Sequence, residues 1–182
     1  MRYEKIWQAD YQQVLFRQLV NAFSYPGTTQ TLANKSASAS LSVVATLVDG
    51  ATSLSDPHQL ITEADLLRLQ VGLSSPDKAA YVLCAGDKAV DFQPLLGSLE
   101  SPDQSATLII KVTALQNGDQ RLNLKGPGIK EGGEIAPKGL HGSWLSQRQE
   151  WNAAFPLGVD IILVTDDQFL AIPRTTQIKE GV

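Results

Sequence analysis

Arg174, Thr175 and Thr176 place a guanidinium beside two hydroxyls directly after an apolar run. That set can hold a phosphate, a carboxylate or a partner's acidic side chain, because the planar guanidinium donates a fork of hydrogen bonds to an oxyanion. Pro173 fixes the backbone entering the turn. The competing reading is a strand end whose arginine is solvated or paired internally with Asp160. Asp160 stands at the edge of the apolar run 159–164, where an ionised carboxylate is costly unless it is paired or hydrogen-bonded. A structural partner, Arg174 or turn amides, answers that cost; a catalytic carboxylate is the alternative.

Two further features could hold an anion. Gly126, Pro127 and Gly128 could turn backbone N–H groups toward a phosphate, or simply make the tight turn that leaves a strand. Pro127 removes one donor that such a nest would use. Arg17 interrupts the apolar side of the first helical pattern, between Phe16 and Leu19. It is either solvated or reaches the Ser24–Gly27 turn, as a cation near a helix C-terminus does. Trp144 and Trp151 read as core or interface anchors rather than a base-stacking platform.

Other chemistries find no support. His58 and His141 lie in loop-like sequence without partners at metal spacing, and the one cysteine, Cys84, makes neither a structural zinc site nor an internal disulfide. No nucleophile elbow, Walker loop or dinucleotide fingerprint occurs. No cofactor is expected. The 182 residues carry a formal net charge of −4 and no basic run, which argues against nucleic acid as a partner. No apolar stretch approaches the roughly 20 residues of a membrane span. The start of the sequence lacks a signal peptide's apolar core, so a cytoplasmic location is expected.

The elements that must position these residues follow from periodicity. Apolar residues from Val14 to Phe23 recur at helical spacing, predicting a helix over 10–23 that stops at Tyr25-Pro26-Gly27. A second helix is expected over 38–48, and Thr62 with Asp65 resembles a cap opening a short helix through Leu69. The segment 81–84 reads as a buried strand and 91–96 as one more helical turn. Thr107 to Leu115 is rich in β-branched residues and is followed by Asn117-Gly118, a hairpin signal that predicts a return strand over 121–124. The glycine-rich segment 130–142 reads as an exposed connection, and Ser143 as the cap of a helix through Ala154. Strands over 159–164 and 169–172 flank the turn at Asp166-Asp167, and Pro173 leads on to Gln177 and Ile178. This order suits an α/β fold: one domain over residues 1–182, with a mixed, partly antiparallel sheet and flanking helices.

Three motifs carry a resemblance over nearly the whole chain: FRQLVNAFSYPG from Phe16 to Gly27, LNLKGPGI from Leu122 to Ile129, and NAAFPLGVDIILVTDDQFLAIPRTT from Asn152 to Thr176. With these in this order the sequence resembles the PhnH family, the H subunit of the bacterial carbon–phosphorus lyase core complex. The segment 28–103 matches only in general character. The resemblance implies a fold like the large domain of pyridoxal-phosphate-dependent transferases with the cofactor site lost. It implies a cytoplasmic assembly with G, I and J subunits; a homodimer when those partners are absent also fits, since exposed interface surface seeks cover. That assembly forms a ribose 1-phosphonate 5-triphosphate from a purine nucleoside triphosphate and an alkylphosphonate, and the H subunit would serve it in an accessory, non-catalytic role. The alternative is a phosphonate- or nucleotide-binding subunit whose anion site is built on Arg174, Thr175 and Thr176, with Arg17 and the turn from Gly126 to Gly128.

Overall fold

The computed structural model of the chain describes residues 4–33, 37–130 and 133–181. Four α-helices occur among them: α1 Ala9–Ser24, α2 Ala39–Leu47, α3 Glu63–Leu69 and α4 Ser143–Trp151. The strands in chain order are β1 Gln30–Thr31, β2 Ser53–Ser55, β3 Gly72–Leu73, β4 Tyr81–Ala85, β5 Thr107–Lys111, β6 Leu122–Lys125, β7 Gly133–Ile135, β8 Asp160–Val164, β9 Gln168–Ile172 and β10 Gln177–Glu180. Seven strands form one sheet in the order β1-β9-β8-β5-β4-β2-β3, and β10-β6-β7 form a second.

The large sheet is mixed. β8, β5, β4, β2 and β3 run parallel, while β9 turns back antiparallel on β8 and β1 lies antiparallel on β9. Its central strands are covered on both faces, which is why they read as continuous apolar runs and not as an alternation. Leu83, Ile109, Ile162, Phe169 and Ala171 point to the side packed by α1, α2 and α3. Val82, Cys84, Leu108, Ile110, Ile161, Leu163, Leu170 and Ile172 point to the other side, where they meet Trp144 and Trp151 of α4 and Leu122, Leu124 and Ile135 of the small sheet. α2 is buried from Ala39 to Ala45, as expected of a helix apolar on every side.

Most predicted elements are present within a residue or two. Ser38 caps α2 by accepting from the Leu41 amide at 3.3 Å. Thr62 caps α3, accepting from the Asp65 amide at 3.2 Å and donating to its carboxylate at 2.8 Å.

Four expectations are corrected. The segment 91–96 is not helical: Pro94 lacks an amide and biases Gln93 toward extended backbone, and Phe92, Leu95 and Leu96 lie against the second core. Asn117 does adopt the positive φ of a tight reversal, 66°, but β5 and β6 do not pair. β6 instead joins β10 and β7, and β5 lies between β4 and β8. The connection 130–142 holds β7, whose Ile135 is fully buried; Glu131 and Gly132 lie outside the described residues. Finally, Gly142 and not Ser143 occupies the N-cap of α4, which ends at Trp151. The Ser143 hydroxyl is used elsewhere, accepting from the Val90 amide at 3.0 Å.

Candidate functional site

The end of β9 and the start of β10 are joined by the turn 173–176, closed by a bond from the Thr176 amide to the Pro173 carbonyl at 2.9 Å. Here the structure gathers most of the residues singled out from sequence. Asp160 begins β8, next to the point where β9 ends, so its carboxylate reaches Arg174 three times. The Arg174 amide donates to Oδ1 at 2.7 Å, Nε to the same oxygen at 3.3 Å and Nη2 to Oδ2 at 2.6 Å. Nη1 donates to the carbonyls of Pro102 at 2.8 Å and Pro156 at 3.4 Å. The two side chains are 16% and 19% exposed. A fork-to-fork pair with a backbone amide added is the strongest way to satisfy an inward carboxylate, and it ties β8, the β9–β10 turn and two loops to one side chain.

Gly126 lies against this turn. A side chain there would press on the Thr175 carbonyl and the Thr176 Cα, so the turn from Gly126 to Gly128 packs directly on the turn 173–176. Gly128 in turn sits over the Ser24 carbonyl at the end of α1. Thr175 is exposed, and Thr176 is buried. Arg17 is exposed on α1, and among the described residues no hydrogen bond or ion pair joins it to the others.

A second arginine, not among the candidates singled out from sequence, occupies the site. Arg148 of α4 is 5% exposed. Its Nη2 donates to the carbonyls of Pro173 at 2.8 Å and Thr176 at 2.9 Å, while its Nε is buried without a partner. Burial lowers its pKa to about 10, against the opposing pull of the Asp160 charge. The Thr176 hydroxyl, 2% exposed, is also buried without a partner. Both residues line a half-open cleft of about 540 Å³ between α4 and β10. The signal in sequence was spacing: Arg148 follows Trp144 by four positions and precedes Trp151 by three, so it shares their helical face. Both indoles are core, donating to the Lys88 carbonyl at 3.0 Å and Gln93 Oε1 at 3.1 Å.

The remaining reactive side chains serve the fold. His58 Nδ1 accepts from the Ala85 amide at 3.1 Å, and His141 Nδ1 meets the Ser143 hydroxyl at 2.9 Å. Burial pushes the Cys84 thiol far up, with Asp56 and Asp91 adding to the shift, so it is no nucleophile at neutral pH. Among the described residues no group of three or more His, Cys, Asp or Glu side chains could hold a metal ion, and no helix is long and apolar enough to cross a membrane.

Comparison with known proteins adds a second line of observation. A family model described as bacterial phosphonate metabolism protein (PhnH) matches residues 5–179. The chain is similar to the "Putative C-P lyase subunit protein HtxG" of Stutzerimonas stutzeri, 46% identical over 175 residues that span 96% of this chain and 89% of that protein. It is also similar to the alpha-D-ribose 1-methylphosphonate 5-triphosphate synthase subunit PhnH of Rhizobium meliloti (strain 1021), 34% identical over 180 residues that span 92% of this chain and 90% of that one.

Proposed function

This chain belongs to the PhnH family of bacterial phosphonate metabolism proteins, and from that premise we propose that it works as an accessory subunit of a carbon–phosphorus lyase assembly, with no turnover of its own. Both relatives above bear subunit names and match this chain over about nine-tenths of their length. The observation that carries the accessory role is the mutual commitment of Arg174 and Asp160. The guanidinium and carboxylate best suited to chemistry neutralise each other and hold the β9–β10 turn, so they serve architecture. Phe16 and Val20, one helical turn apart on α1, are 52% and 50% exposed and offer apolar surface of the kind partners cover.

In this reading the whole chain acts as one domain in the cytoplasm, its partners are the G, I and J subunits, and it pairs with itself when they are absent. The transferase-like ancestry of the fold belongs to the same reading. The test is co-purification of the tagged chain with those three subunits, with mass and stoichiometry read by light scattering. A stable complex burying well over ~1,000 Å² is the expected result. A chain that stays apart from all three under several salt conditions overturns it.

A further inference from the structure

The cleft between α4 and β10 has the electrostatics of an oxyanion site. Its cations are Arg148, Arg174 and Lys179, and among the described residues no carboxylate lines it. Two buried guanidiniums, Arg148 and Arg174, stand against one carboxylate, Asp160, whose two oxygens are taken by Arg174. Among the described residues one positive charge is therefore left over, and it sits on Arg148, which is nine-tenths buried and hydrogen-bonds there only to carbonyls. A buried guanidinium without a counter-ion is costly, and the usual remedies are a paired anion or a bound one.

The hydrogen bonds point the same way. Arg148 spends Nη2 on the Pro173 and Thr176 carbonyls, while Nε and Nη1 make no hydrogen bond among the described residues. The Thr176 hydroxyl is a second unsatisfied donor on the same wall. Buried donors in folded proteins are nearly always satisfied, so two orphans on residues that line one cleft call for an acceptor from outside the chain. At about 540 Å³ the cleft has room for a small ligand.

We infer that this cleft binds a small tetrahedral oxyanion of the phosphate or phosphonate class, with Arg148 supplying the charge, Thr176 a hydroxyl donor and Lys179 a cation at the mouth. The site belongs to this chain alone and does not rest on the assembly reading, so a failed co-purification would leave it standing. The α4 residue that fixes the turn 173–176 would then also sense whether the cleft is filled.

The test is isothermal titration of inorganic phosphate and of methylphosphonate into the purified full chain. Saturable binding with one site per chain and a Kd of about 1 mM or tighter is expected. Tighter binding of methylphosphonate assigns the site to phosphonates, and tighter binding of phosphate assigns it to phosphate compounds; both outcomes support it. Thr176→Val preserves shape and removes the hydroxyl, and is expected to weaken binding by ~10-fold. Lys179→Ala, on an exposed strand position, is expected to weaken it a few-fold and flatten its salt dependence. Arg148→Lys is expected to lose more than ~10-fold; should that variant fail to fold, Thr176→Val and Lys179→Ala decide. No saturation of the parent chain at about 10 mM of either anion, or unchanged affinity in Thr176→Val and Lys179→Ala together, overturns the inference.

Discussion

Two arginines 26 positions apart show how the surroundings, and not the residue type, set a side chain's task. Arg174 meets a carboxylate in a two-pronged pair, whereas among the described residues Arg148 meets only carbonyls. Removing one member of the first pair strands the other in a mostly dry setting. Arg174→Ala is accordingly expected to cost about 3 kcal/mol of stability, and Asp160→Ala a similar amount. The joint change Asp160→Ala with Arg174→Ala is expected to cost clearly less than the sum, since neither charge is then left unpaired. Urea midpoints of the four chains close that cycle, and strictly additive losses would contradict the pairing. The sequence made the Arg174–Asp160 pairing one of two open readings, because an acidic residue opening an apolar strand has to be answered by something. Arg148 was not singled out as a site residue, because nothing in QRQEW itself marks its task; its place on the helical side of Trp144 and Trp151 was the one sign that it points inward.

At the scale of single elements, local chemistry was the reliable guide where it had few competitors. Thr62 and Asp65 make the reciprocal contacts that their spacing suggested, and Thr62→Ala is expected to cost about 1 kcal/mol, read as a shift in thermal midpoint. A change near zero would mean that α3 is held by packing of Leu69 and its neighbours alone. Elements went astray where tertiary packing overrode local preference. Phe92 was placed on a helical turn, yet its ring centroid lies 6.1 Å from that of Trp144 and 6.4 Å from that of Trp151, contacts that the extended chain around Pro94 makes available. Asn117 does take up left-handed backbone, but the partner of a strand is decided by the whole sheet, and β6 finds its hydrogen bonds on β10, more than fifty residues later. Nothing within the local sequence of 107–124 encodes that choice.

For the molecule as a whole, the small sheet acts as a clasp. Its turn from Gly126 to Gly128 touches both the end of α1 and the turn that carries Arg174, linking the two sides of the large sheet around one edge. Gly128 has a φ of 80° and lies so close to the Ser24 carbonyl that a Cβ has no room. Gly128→Ala is therefore expected to destabilise the chain by about 2 kcal/mol or more. Measured by thermal melting, a neutral result would show that the clasp yields easily. The mixed character of the large sheet was legible from the order of helices and strands, and the tight turn after β9 from its proline and threonines. The second sheet was not, because its three strands come from segments that only the finished fold brings together.

The large sheet ends on both sides in strands of two residues, Gln30–Thr31 and Gly72–Leu73. A rim that short offers an incoming polypeptide almost no backbone ladder to extend. The large sheet is thus guarded against edge-to-edge stacking by its own borders. Whatever meets those borders is gripped with side chains, so recognition there is set by the shape and charge of helices and turns and can be tuned one residue at a time.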